Sequence, residues 1–357
     1  NISRQWERQS STNTIGVQYR ADDIDEVALY RTAQRARLGA IRSDAVEQYS
    51  LSMFWDNQIT WSESFRSQLG VRYDYFDFDV QSLVGLNVND IDLGSNQGQQ
   101  DDSIISLKGN LIYSLNERWE VYTSAGQGFH SNDARGTINQ IDPTDGSQVS
   151  PVDPLVRSLG YELGLRGNIN NKLNTSIALW TLTLDSELLF VGDAGNTEAS
   201  RESRRSGLEF TSYYQLDDTW ALDLEYSFAD AEFTDFSEDG NNIPGAIEHV
   251  LQAGVNAQFN ERWSATMRLR YFGERPLVED NSVSSDPSTV VNFRLAYRFD
   301  KLSIKADLLN LFNSNDHDID YFYGSRLANE APGQELEDIH YHVLEPRSLR
   351  VSLAYRF

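Results

Sequence analysis

Three groups of side chains in this sequence could bind a ligand or an ion. His130, Asn132, Asp133 and Arg135 bring an imidazole, an amide, a carboxylate and a guanidinium into six positions, enough donors and acceptors of both charges to hold a small polar molecule. Asp316, Asp318 and Asp320 place carboxylates at alternate positions, as an oxygen-preferring cation needs. The sixth position of a calcium loop should however be Gly and here is Tyr321, so a solvated acidic stretch is the default reading. His340 and His342, two apart, would share one face of an extended segment and could hold a metal or a metal chelate. Tyr321, Phe322 and Tyr323 could add an aromatic shelf beside them.

Catalysis leaves no comparable signature. The chain has no Gly-x-Ser-x-Gly elbow, no His-Glu-x-x-His zinc helix, no phosphate loop and no dinucleotide fingerprint, so no enzyme and no cofactor are expected. The remaining enzymatic alternative is a Ser and a His brought together across strands as a hydrolase. Cysteine is absent, which removes disulfides and thiolate metal sites. A net charge of -24 argues against nucleic-acid partners, because phosphate neutralisation needs clustered Lys and Arg. Seventeen Tyr, 17 Phe and 7 Trp argue against disorder.

The elements that position these groups are strands. No apolar run approaches the roughly 18 residues of a membrane helix. Instead Trp263, Ala265, Met267, Leu269 and Tyr271 alternate with Ser264, Thr266, Arg268 and Arg270, which gives an extended segment one oily face and one charged face. The same period of two runs through Trp220–Phe228, Val291–Phe299 and Leu302–Leu308. A sheet with lipid on one side and water on the other requires this pattern.

Short turns form a near repeat: Leu115-Asn-Glu-Arg-Trp119, Leu216-Asp-Asp-Thr-Trp220 and Phe259-Asn-Glu-Arg-Trp263. Trp beside such turns suits an aromatic girdle at the headgroup level. Long polar connections, near 81–103, 132–155, 192–202, 233–246, 274–287 and 313–345, alternate with them. The reading is an all-β, antiparallel, up-and-down transmembrane β-barrel, with about fifteen strands from near Ser11 to Phe357. Single-chain bacterial barrels have even strand numbers, so an odd count points to further strands before this segment.

The last strand, Leu349-Arg-Val-Ser-Leu-Ala-Tyr-Arg-Phe357, ends on an aromatic residue with Tyr355 on the same face, and resembles the signal read by the barrel assembly machinery. Leu308-Leu-Asn-Leu-Phe-Asn313, Tyr321 and Pro346-Arg347 resemble the end of a TonB-dependent outer-membrane receptor. Glu120-Val-Tyr-Thr-Ser-Ala-Gly-Gln-Gly-Phe129, Tyr161–Gly167, Ser206–Phe210 and Gly70–Asp74 are similar to strand motifs of that family in the same order. The resemblance implies a 22-stranded barrel in the bacterial outer membrane. Residues 1–357 would be its C-terminal portion, without the plug domain that engages the TonB complex. It further implies import of a scarce small-molecule ligand such as a ferric siderophore, with outer-membrane lipid and lipopolysaccharide around the wall. His130, Asn132, Asp133, Arg135, Tyr321 and Tyr323 would then contact the ligand at the outer mouth. The rival to import is a passive porin of about sixteen strands, completed by the first ten residues.

Overall fold

The alternation that begins at Trp263 runs through a fifteen-stranded sheet in the computed structural model, and every strand pairing resolved within it is antiparallel. The structure describes residues 2–8, 10–191, 196–199, 201–326, 331 and 336–357, so parts of the long connections 192–202 and 313–345 lie outside the described residues. The strands in chain order are β1 (Ile2–Arg8), β2 (Ser11–Ala33), β3 (Ala36–Thr60), β4 (Phe65–Ser82), β5 (Gly98–Ser114), β6 (Trp119–Ser131), β7 (Leu155–Ile169), β8 (Leu173–Leu184), β9 (Leu188–Val191) and β10 (Asn196–Ala199). They continue as β11 (Ser203–Gln215), β12 (Trp220–Phe233), β13 (His249–Gln258), β14 (Trp263–Phe272), β15 (Ser288–Phe299), β16 (Leu302–Leu309), β17 (His317–Ser325), β18 (Leu336–Val343) and β19 (Ser348–Tyr355).

The large sheet takes these in chain order but omits β9–β10 and β17–β18, which form separate two-stranded hairpins inside long connections. Among the described residues no helix is long and apolar enough to cross a membrane. The count matches the expected fifteen, but the first strand is β1, not the strand from Ser11. Sequence pattern misses β1 because Arg4, Trp6 and Arg8 share one face with Ile2, so no clean alternation exists there. Its register with β2, Ile2 opposite Val17 through Arg8 opposite Ser11, supplies what its side chains do not.

The chain divides into two compact units. In the unit that holds residues 204–357, registers align the oily positions of neighbouring strands. Leu222, Val255, Met267, Phe293 and Leu308 stand opposite one another in turn from β12 to β16, and Leu349 of β19 extends the row. The opposite face pairs charges: Arg268 reaches Asp223 and Arg294 reaches Asp307. In the other unit Val17, Met53, Tyr73 and Ile105 make an equivalent oily row. Behind it Arg72 pairs with Asp74 at 2.8 Å and Lys108 with Asp56 at 2.9 Å. The strands of these two rows thus set an apolar side for lipid against a hydrogen-bonded polar side, and cross-strand contacts of this kind add roughly 0.2–1 kcal/mol apiece.

The repeated short turns share one device. Asn116 Oδ1 accepts the amides of Arg118 and Trp119, Asp217 Oδ1 those of Thr219 and Trp220, and Asn260 Oδ1 those of Arg262 and Trp263, all between 2.8 and 3.1 Å. An Asx side chain supplies the turn's missing acceptor, and the Trp that follows is delivered to the strand's first position. Ser62 does the same for Phe65 at 3.1 Å in a fourth turn that the residue pattern does not reveal.

Candidate functional site

Beyond Tyr19, Tyr49 and Tyr75 the facing rule of the sheet inverts. On the lipid-facing side the next rows are acidic, with Asp23, Glu47 and Asp79 aligned across β2, β3 and β4. On the inner side they become apolar: Val46 opposes Val80, and Phe78 and Phe76 come one and two rows below. Phe78 is fully buried, and Val46, Phe78 and Val80 form a core with Ala134 and Ile138 of the connection 132–154. These strands have left the bilayer, where water wets the outer face and a folded connection covers the inner one.

That connection is where His130, Asn132, Asp133 and Arg135 lead. Asn132, 3% exposed, ties the start of the loop to its end, its backbone amide donating to Pro154 O at 2.9 Å and its side chain to Asp153 O at 2.6 Å. Asp133 takes a two-pronged bond from Arg135, at 3.0 Å from Nε and 2.6 Å from Nη2. Burial pushes the Asp133 carboxyl up, and the guanidinium and amide of Arg135 more than reverse this, holding it below the ordinary carboxylate range. Below them, Arg42 of β3 pairs with Asp44 at 2.5 Å and reaches Asn139 Oδ1 at 3.3 Å and Arg135 O at 3.4 Å. Arg42 and Asp44 are almost wholly buried, so this is an ion pair inside the join between strand and loop. His130 is the next-to-last residue of β6, and its Nε2 is buried with no hydrogen-bond partner.

Two asparagines complete the join. Asn87 donates to Ile41 O at 3.0 Å and Pro143 O at 2.7 Å. Asn96, 1% exposed, donates to Ile141 O at 2.7 Å while accepting the amides of Gln140 and Ile141 at 2.9 Å. A cavity of about 210 Å³ opens beside the loop's closing residues, lined by Asp102, Asp153, Arg157 and Asp185. Three of the four sequence-predicted residues here thus hold the connection in place.

In the second unit, Tyr321, Tyr323, His340 and His342 lie on one face of the β17–β18 hairpin, where Tyr321 opposes His340 and Ile319 opposes His342. Tyr321 and Tyr323 are exposed, and Tyr323 stacks on His340 with centroids 3.9 Å apart. The acidic positions are spoken for separately. Asp316 accepts the Thr289 amide at 2.7 Å, Asp318 meets His342 Nδ1 at 2.8 Å, and buried Asp320 holds both His317 Nδ1 and Arg275 Nη2 at 2.7 Å. Asp316, Asp318, Asp320, His340 and His342 are therefore not brought to a common point. Among the described residues no group of three His, Asp or Glu side chains is placed to hold a metal ion.

Sequence reasoning missed Arg42, Asp44, Asn96 and Arg275, the groups that fix the outer connections. Their partners lie 44 to 97 positions away, apart from the local Arg42–Asp44 pair, so no short motif marks them. At the other end of the sheet, Tyr355 and Phe357 pack edge to face at 5.3 Å and are exposed on the oily side.

A family model described as "TonB dependent receptor-like, beta-barrel" matches residues 2–311. The pesticin receptor of Yersinia enterocolitica is 23% identical over 347 residues, which cover 91% of this chain and 50% of that protein. The metal-pseudopaline receptor CntO of Pseudomonas aeruginosa is 22% identical over 322 residues, 86% of this chain and 41% of that protein. The chain thus spans about half the length of the curated relatives it matches. Among solved structures, the ferric yersiniabactin uptake receptor FyuA of Yersinia pestis superposes with a TM-score of 0.76 at 16% identity, covering 99% of this chain and 52% of that one. The ferric-catecholate import receptor Fiu of Escherichia coli K12 gives 0.73 at 14%, covering 99% and 53%. Wall, turns and matched residues agree: the chain belongs to the TonB-dependent receptor β-barrel family, whose members reside in the outer membrane of Gram-negative bacteria.

Proposed function

We propose that this chain is the wall of a receptor that binds a scarce metal chelate, such as a ferric siderophore, and imports it with energy delivered by TonB through a plug domain. The observation that carries the reading is the family match over residues 2–311 together with relatives named for pesticin and metal-pseudopaline and a neighbour titled for ferric yersiniabactin uptake.

In this reading the interlocked outer connections of the first unit are a rigid floor for ligand contact, and in the second unit Tyr321, Tyr323, His340 and His342 offer aromatic and imidazole groups of their own. Asp133 and Arg135 act by holding the floor. Outer-membrane lipid and lipopolysaccharide surround the wall, and Tyr355 and Phe357 present the assembly machinery with an aromatic terminus. The test is uptake of radio-iron chelates by cells with and without the gene, in backgrounds with and without TonB. Import that needs both supports the proposal, and uptake that persists without TonB overturns it in favour of a passive pore.

A further inference from the structure

The β2–β3 hairpin is the exception to the charge of this protein. Residues 27–40 contain Arg31, Arg35 and Arg37 and no acid, in a chain of net charge -24. The long connections 83–97, 132–154, 185–202, 234–248, 273–287 and 313–347 each carry more Asp and Glu than Arg and Lys.

The hairpin is held firmly up to a point and then stands free. Val88 N donates to Ala40 O at 3.0 Å and Leu83 N to Ser43 O at 2.8 Å, and a side chain in place of Gly39 would collide with Val88. Beyond Gly39, residues 31–38 are exposed. Arg37 lies over the Tyr30 ring, 4.2 Å from its centroid, and Tyr30 in turn donates to Glu26 at 2.6 Å. Among the described residues Arg31 and Arg35 have no ion-pair partner. Arg35 occupies a two-residue turn with Gln34, both in the left-handed region at φ 68° and 49°, where Gly or Asn is ordinarily preferred. A bulky cation is thus kept at the tip against local conformational preference.

Height decides what the tip can meet. From Tyr49 to Arg37 the strand runs roughly 40 Å, or about 30 Å above the girdle at ordinary barrel tilt. The headgroup layer is only roughly 5–8 Å deep, so the tip stands clear of lipid phosphates. We propose that this arginine tip is a capture point for an anionic ligand arriving from the medium, which an otherwise acidic outer surface would repel. This rests on the import reading and adds the charge of the cargo and the place of first contact.

The test uses the full-length receptor in detergent, with a fluorophore on Leu38→Cys and any cysteine outside these 357 residues, which contain none, replaced by Ser. Iodide and neutral acrylamide serve as quenchers in the native background and in Arg31→Gln/Arg35→Gln/Arg37→Gln. At low salt iodide should quench about twofold more strongly when the arginines are present, with acrylamide unchanged, and the difference should vanish at high salt. In the second arm, anionic ferric tris-catecholate should associate about tenfold more slowly with the triple variant, and neutral ferric tris-hydroxamate at an unchanged rate. Equal iodide quenching in both backgrounds, or equal slowing of both chelates, overturns the inference. Stronger iodide quenching with no binding of either chelate sustains the anion-collecting tip and instead removes ferric chelates as the cargo.

Discussion

Arg275 Nη2 donates to Asp320 Oδ2 across 2.7 Å, joining the connection after β14 to the β17–β18 hairpin by an ion pair almost out of solvent on both sides. His317 Nδ1 completes the carboxylate's partners at 2.7 Å. The aromatic and imidazole face of the hairpin is held by a charge that cannot be exposed without opening the join. Removing one partner of such a buried pair typically costs about 3–5 kcal/mol, because the remaining charge stays desolvated. Arg275→Gln should therefore loosen residues 316–326 and 336–344 in hydrogen exchange while the transmembrane strands stay protected. Arg275→Gln with Asp320→Asn should recover part of the loss, since no net charge is then left buried. Unchanged exchange in the single variant would show that the pair contributes nothing.

Asn96 places three hydrogen bonds on the backbone of Gln140 and Ile141 from a side chain 1% exposed. Asn96→Ala would leave these polar groups buried and unpaired, at about 1–3 kcal/mol each where water cannot enter. Asn96→Asp keeps the acceptor but loses the donor to Ile141 O and adds a buried charge, so it should be no milder than Ala. Limited proteolysis within 139–149 should quicken in both variants. Equal rates in the native chain would show that Asn87 and the Arg42 pair suffice.

Asp133's contribution to the hold on residues 132–154 should depend on pH in one direction. Asp133 sits below the ordinary carboxylate range in the folded state, so its stabilising effect is complete above the unfolded value, near 4. The effect is lost as pH falls through the lower folded value. The connection should thus stay protected from neutral pH down to about 4 and open below that. In Arg135→Gln the Asp133 carboxyl loses its main stabilising partner and opening should move to higher pH. Exchange of peptides 133–150, normalised to the intrinsic rate at each pH, reads both. An identical profile in the variant would remove Arg135 from the argument.

How far the residues announce all this depends on the range of the interaction. Face alternation is written every two positions, so Trp263 to Tyr271 declare both their strand and its lipid side without knowledge of any neighbour. The Asn-x-Arg-Trp turns are local too, and their Asx acceptors follow from spacing. Ser62 escaped because the Trp there precedes the turn instead of following it. The purpose of His130–Arg135 did not follow from residue type: whether a carboxylate and a guanidinium two apart meet a ligand or a loop is decided by Arg42 and Asn139, which only the register of β3 brings near. Inversion beyond Tyr49 was hidden for a related reason. Val46, Phe76, Phe78 and Val80 keep the period of two with the sign reversed, and nothing in the strand itself tells which side is covered.

Met267 offers the direct test of the lipid side. It stands opposite Val255 on one neighbour and Phe293 on the other, with Trp263 at the turn end of the same strand and half-exposed positions all round. A charge placed on the lipid face of a barrel costs about 2–4 kcal/mol at the midplane and falls towards zero at the interface. Met267→Arg should thus destabilise the full-length protein, folded into phosphatidylcholine vesicles, by about that amount in a denaturant titration. Trp263→Arg, near the headgroups, should cost less, and Arg268→Met should spare the lipid side while breaking the bond to Asp223 behind it. If Met267→Arg were tolerated and Arg268→Met were as costly as a midplane charge, the faces of β14 would have to be exchanged.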